Sequence, residues 1–163
     1  MPDSSLPLLN VYEIDLEGVQ AHVVCFVDPV LAGARGIDTA SIVGRFQPGP
    51  DGDFQLETFE LNPDFIAKFI GYMNDVAAKT PEIKGEAAKQ PGEWLYIVDP
   101  RFRGDDADEP PTGDVVGCFA VDEAGQIAPG SFQYNKNHDL FDAERGVSGL
   151  FSDRPFYDWL HGH

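Results

Sequence analysis

One stretch of this chain recurs further along it, in order, and that echo constrains the fold more than any other feature. Val27-Asp28-Pro29, three residues and Gly33 are matched by Val98-Asp99-Pro100, three residues and Gly104, at an offset of 71. Ile42-Val43-Gly44-Arg45-Phe46 is matched by Val115-Val116-Gly117-Cys118-Phe119, at an offset of 73. That second offset then holds without a gap, aligning Gly52 with Gly125, Phe59 with Phe132 and Asn62 with Asn135. After an insertion in the second copy, Phe65, Phe69 and Gly71 resemble Phe156, Leu160 and Gly162. The reading is a β-β-β-α unit used twice, over about 10–90 and 93–163. Each unit alone is too small to bury a sheet face and a helix stripe well, so the two are expected to form one globular domain. The expected fold class is α+β: an internally duplicated unit with mainly antiparallel sheet and helices covering a face.

Local patterns place the elements. Val11–Leu16 alternates apolar with acidic residues, and His22–Val27 is apolar and β-branched; they read as a hairpin turning at Glu17-Gly18. Ser41–Phe46 and Phe54–Leu61 read as two more strands around Pro48-Gly49-Pro50-Asp51-Gly52, a turn built from preset and positive φ. The period then changes to helical. Asn62-Pro63-Asp64 starts a helix, and Phe65, Ile66, Phe69, Ile70, Met73 and Val76 line one face of it. Thr80-Pro81-Glu82 starts a shorter helix. Trp94–Val98, Val115–Val121 and Ile127–Tyr134 read as strands, Asn135–Gly149 as irregular, and Ser152-Asp153-Arg154-Pro155 as the start of a last helix. The expected core includes Phe46, Phe59, Phe65, Phe69, Trp94, Phe119, Phe132 and Trp159.

Charge narrows the function. The 163 residues carry 28 acidic against 11 basic side chains, a formal net charge of −17. Nucleic-acid affinity is dominated by Lys and Arg contacts to phosphate, so a nucleic-acid partner is excluded on charge, and an anionic membrane is disfavoured for the same reason. No stretch approaches the run of about 18 apolar residues that a membrane span needs, and the start, Met1-Pro2-Asp3-Ser4-Ser5-Leu6-Pro7, lacks the basic and apolar regions of a signal peptide. Cys25 and Cys118 lie in apolar strand-like runs and read as reduced core thiols. Together these features point to a soluble, cytoplasmic protein.

The chemistry-bearing residues are sparse. No nucleophile elbow, P-loop, dinucleotide fingerprint or zinc spacing occurs, and the sequence points to no cofactor, metal or assigned catalytic residue. The acidic run Gly104–Glu109 lacks calcium-loop spacing and reads as a solvated loop. His161 and His163 read as terminus. The candidate ligand-binding set is Asp28 and Asp99 at the two matched strand ends, Arg35, Arg101 and Arg103 in the loops that follow, and Asn135 and His138 in the polar segment Asn135–Asp139. Long loops at matched ends of a scaffold are where function diverges. Arg at such a place would bind a carboxylate or phosphate bidentately, but the acid surplus favours internal ion pairing for these arginines. Three functions stay open. A non-catalytic module binding a protein partner or small ligand is favoured by the absence of catalytic motifs. A small enzyme with carboxylate or His acid–base chemistry between the repeats is the second, and a structural subunit of a complex the third. Oligomeric state is not legible.

Overall fold

The structure, a computed structural model, describes residues 9–102, 109–142 and 146–162. It is α+β, with helices and antiparallel sheets. The chain divides into two compact units, residues 1–68 with 150–163, and residues 69–149.

The first unit is built on a four-stranded antiparallel sheet in chain order: β1 (Leu9–Leu16), β2 (Val19–Phe26), β3 (Ile42–Phe46) and β4 (Glu60–Leu61). The β1–β2 hairpin turns where expected. Glu17 and Gly18 both take positive φ (53° and 86°), the pairing that matches strand twist, and the Asp15 carboxylate accepts the Gly18 N–H at 2.8 Å. One sheet face carries Val23, Cys25, Val27 and Ile42, with Tyr12, Ile14 and Leu16 of β1 and Leu31, Ala32 and Ile37 packed against them. Leu31 and Ala32 belong to α1 (Pro29–Arg35), a helix within the segment expected to be a loop. The Asp28-Pro29 pair makes it: the carboxylate caps the Leu31 N–H at 2.8 Å and Pro presets the first turn. On the other face, Phe26 meets Phe65, Phe151, Phe156 and Tyr157 edge-on or tilted, with centroids 5.1–6.4 Å apart. Phe65 sits in the first turn of α2 (Pro63–Asp75), and Phe156 and Tyr157 in α4 (Arg154–Leu160).

The second unit holds the remainder of α2, α3 (Pro81–Ala88) and a three-stranded antiparallel sheet, β5 (Trp94–Val98), β6 (Val115–Ala120) and β7 (Gln133–Tyr134). A short pair, β8 (Phe141–Asp142) and β9 (Gly146–Val147), follows within the segment read as irregular. Phe69 of α2 packs edge-on against Phe132 and Tyr134, and Phe119 packs tilted against Phe132.

The two sheets share one register. Val23 pairs with Arg45 and Tyr96 with Cys118; Gly44 pairs with Leu61 and Gly117 with Tyr134, each pair separated from its counterpart by 73 positions. The register shift in the first sheet falls between Val24 and Cys25, and in the second between Ile97 and Val98, again 73 apart. The side-chain amide of Asn62 donates to the Thr39 and Ile42 carbonyls at 3.0 and 2.8 Å; that of Asn135 donates to Thr112 and Val115 at 2.9 and 2.8 Å. Gly44 and Gly117 lie under the rings of Phe59 and Phe132: a Cβ on either would stand 2.3 Å from a backbone oxygen and about as close to the ring. Sheet register therefore sets Cys25 against Val98, so Asp99 corresponds to Phe26 and not to Asp28, which lies two residues further along.

Several expectations need correcting. The returning strands are far shorter than 54–61 and 127–134. Only their last two residues pair regularly, because Leu56–Thr58 forms a tight turn and the Phe132 N–H donates to Asn74 Oδ1 instead of the ladder. Phe59 and Trp159 are half-buried, and Trp94, expected in the core, is 45% exposed. His161 is not frayed: its Nε2 lies 2.7 Å from the Phe26 carbonyl.

Candidate functional site

The second unit contains a buried polar network. Asp99 ends β5, and its carboxylate meets His138 Nε2 at 2.8 Å, Ser148 Oγ at 2.5 Å, the Gly149 N–H at 2.9 Å and the Arg101 N–H at 3.1 Å. His138 Nδ1 lies 2.8 Å from the Tyr134 hydroxyl. Arg101 donates from Nε to Asp114 at 3.1 Å and from Nη2 to the Gly113 carbonyl at 3.1 Å and to the Asp139 carbonyl. The side chains of Asp99, Asp114 and His138 are fully buried. Burial alone would raise the Asp99 carboxyl. The hydrogen bonds from His138, Ser148, Gly149 and Arg101 outweigh it and hold the group well below the usual carboxylate range. An ionised Asp99 only accepts, so His138 Nε2 carries the proton, and in the neutral ring Nδ1 accepts from Tyr134. Burial, reinforced by the Asp99 charge, pushes the Tyr134 phenol up.

Register gives the network its meaning. By the 73-residue offset Asp99 and His138 stand at the positions of Phe26 and Phe65, whose rings pack edge-on at 6.4 Å in the first unit; Phe156, set against Phe65 by the sequence, instead packs against it in that same unit. Between Asp99 and His138 a charged hydrogen bond stands where the first unit has an aromatic contact. Asp99 ties His138, Ser148 and Gly149 to the end of β5, where Gly149 passes so close to Pro100 that a Cβ would approach it to 2.8 Å. Each ring nitrogen of His138 and both Asp99 oxygens already have a protein partner. The arrangement is suited to holding backbone in place.

The sequence-derived candidates fall in two places. Asp28 and Arg35 belong to the first unit: Asp28 caps α1 and accepts the Tyr157 hydroxyl at 3.0 Å, and Arg35 Nη1 donates to the His161 carbonyl at 3.2 Å. Hydrogen bonds, led by that from Leu31, lower the Asp28 carboxyl. Asp99, Arg101, His138 and Asn135 come together in the second unit, and Arg103 lies outside the described residues, as does most of the Gly104–Glu109 run. No group of acidic, His and Cys side chains among the described residues has the makings of a metal site, and no described helix is long and apolar enough to cross a membrane.

A surface that sequence reasoning missed adjoins this network. The outer face of the second sheet bears Trp94, Tyr96 and Val98, which are 45%, 60% and 37% exposed. Beside them runs an open groove of about 560 Å³, lined by Tyr96, Val98, Thr112, Val115, Gln133 and Asn135 among others. The first sheet has its register-matched counterpart, a groove of about 340 Å³ lined by Val23, Thr39, Ile42, Glu60 and Asn62. There the positions of Trp94, Tyr96 and Val98 are held by Ala21, Val23 and Cys25, and side chains of the neighbouring strand β1 and of α1 pack against them. The signal was present as an aromatic pair two apart in a short strand, but Leu95 and Ile97 between them leave no alternation to distinguish the faces. Comparison of the chain with protein families, with curated proteins and with solved structures finds no match.

Proposed function

We propose that this chain is a non-catalytic binding protein, made of two diverged copies of one sheet unit, in which the second copy presents the contact surface. The observation that carries the reading is the contrast at three matched positions. Ala21, Val23 and Cys25 pack with side chains of the neighbouring strand β1 and of α1, whereas Trp94, Tyr96 and Val98 are open to solvent. Large aromatic side chains exposed together mark contact sites more often than they ornament a surface. The constant 73-residue register, with its shared strand irregularity and Asn clamps, supports the duplication. The Asp99–His138 network supports the surface from behind, keeping Asn135 and the end of β5 fixed. Asp99, Arg101, His138 and Asn135 thus serve the site as its frame, and Asp28 and Arg35 do the same for the first unit. The surplus of 28 acidic over 11 basic residues directs the partner away from nucleic acid and toward a protein or peptide. The free thiols of Cys25 and Cys118 fit a reducing compartment.

The test is selection of a displayed random-peptide library on the full chain, with affinities then measured for the double variant Trp94→Asp, Tyr96→Asp. The selected peptides should lose at least about tenfold in affinity, roughly 1.4 kcal/mol. Peptides that bind the variant equally, or a library that yields no binder, would overturn the reading.

A further inference from the structure

Resting on that reading, we infer that the free edge of β5 accepts an extended segment of a partner protein as an added antiparallel strand. Residues of an antiparallel strand alternately turn their main-chain groups toward one neighbour and the other. The Val121 N–H donates to the Glu93 carbonyl at 3.0 Å, and Trp94 stands opposite Ala120. Glu93, Leu95 and Ile97 therefore face β6, and the N–H and C=O groups of Trp94 and Tyr96 face outward. Among the described residues β5 has a strand neighbour on one side only. The matched residues of β2, Ala21 and Val23, pair with Ile14 and Tyr12 of β1. The chain thus contains its own example of what fits this edge.

That example also states the partner's chemistry. β1 lays Tyr12, Ile14 and Leu16 on the face that Val23 and Cys25 share, and an added strand with apolar residues at alternate positions would lay them beside Trp94, Tyr96 and Val98 in the same way. Main-chain hydrogen bonds give such a strand its affinity, and the alternate side chains its specificity. The residues between them should be Lys or Arg, because the chain carries a net charge of −17 and exposed Glu93 and Glu109 flank the surface. A second copy of this chain suits the edge poorly: β5 contains no basic residue and two such chains repel.

The probe is a capped octapeptide with the β1 sequence in which the residues matching Glu13 and Asp15 are Lys. A second version is N-methylated at the residues matching Tyr12 and Ile14, which removes the N–H groups that would face β5. Binding to the wild-type chain is followed by amide shifts and hydrogen exchange. The first peptide should bind and slow exchange at Trp94 and Tyr96. The methylated one, and the first peptide on Tyr96→Asp, should bind at least about tenfold more weakly. Equal binding of the two peptides to the wild-type chain would overturn strand addition while leaving the exposed face as a binding surface. So would failure of the first peptide at about 1 mM while library-selected peptides still depend on Trp94 and Tyr96. A dimer of the chain with β5 amides protected would assign the edge to a second copy and overturn the inference. Because the methylation contrast uses wild-type protein, it does not depend on any variant folding.

Discussion

Position 99 holds a carboxylate where the matched position 26 holds a phenyl ring, and the difference has a measurable cost. Buried charge is tolerated only when its partners replace water, and here four donors do so. Asp99 has a lower pKa in the folded chain than in the unfolded one. Its contribution is therefore fully present above the unfolded value, about 3.9, and is lost as the pH falls through the folded value. Asp99→Ala also takes the acceptor from the His138 N–H in the interior. We expect it to destabilise the chain by about 3–5 kcal/mol at pH 7. The gap between wild type and variant should narrow steadily as the pH is lowered from about 5 toward 2. Urea titrations across that range check it; a gap that stays constant with pH would mean that packing alone accounts for the loss. None of these partnerships was legible in spacing, since His138 and Ser148 lie 39 and 49 residues from Asp99. The candidate set nonetheless contained Asp99, Arg101, Asn135 and His138, because strand-terminal acids and polar knots mark where a chain must satisfy its backbone.

At the level of elements, the Val-Gly-x-Phe strand makes sense only together with the phenylalanine that returns over it. Gly44 and Gly117 occupy extended backbone and are needed for space, not for conformation. Phe59 and Phe132 lie where a Cβ would stand, and the neighbouring strand's carbonyl is 2.3 Å from the same point. Gly117→Ala must push β7 and the Phe132 ring away from β6. A destabilisation of about 1–3 kcal/mol is expected, with Gly44→Ala behaving alike; thermal melts of both variants test it, and an unchanged Tm in either would remove the pairing from the account. The sequence, through periodicity and turn chemistry, made α2, β5 and the β1–β2 turn legible, because their patterns are local. It overstated the returning strands because Phe59 and Phe132 are strand-like in type yet are turned inward by contacts distant in sequence. It overlooked α1 because a helix of 7 residues carries too little of a stripe to stand out. It put Trp94 inside because a run of five apolar residues does not say which of its faces is open to solvent.

For the molecule as a whole, 28 acidic residues against 11 basic ones set the electrostatic balance. Ion pairs such as Arg45–Glu60, Lys89–Glu86 and Arg154–Asp158 are largely exposed, and pairs of that kind are worth about 0–1 kcal/mol each. They cannot offset the mutual repulsion of a surface with a net charge of −17. The Arg101–Asp114 pair is buried, and salt reaches it poorly. Raising the ionic strength shortens the screening length from about 30 Å at 0.01 M to about 8 Å at 0.15 M. Repulsion between well-separated carboxylates then fades faster than attraction within the close pairs. The melting temperature should therefore rise with sodium chloride over this range at pH 7, and rise less for a variant in which several exposed acids of β1 and α3, such as Glu13, Glu82 and Glu86, are replaced by Gln. Scanning calorimetry at the two salt concentrations decides it. A melting temperature that falls with salt would show that attractive pairs outweigh the repulsion, and would also weaken the case for a basic partner strand at β5.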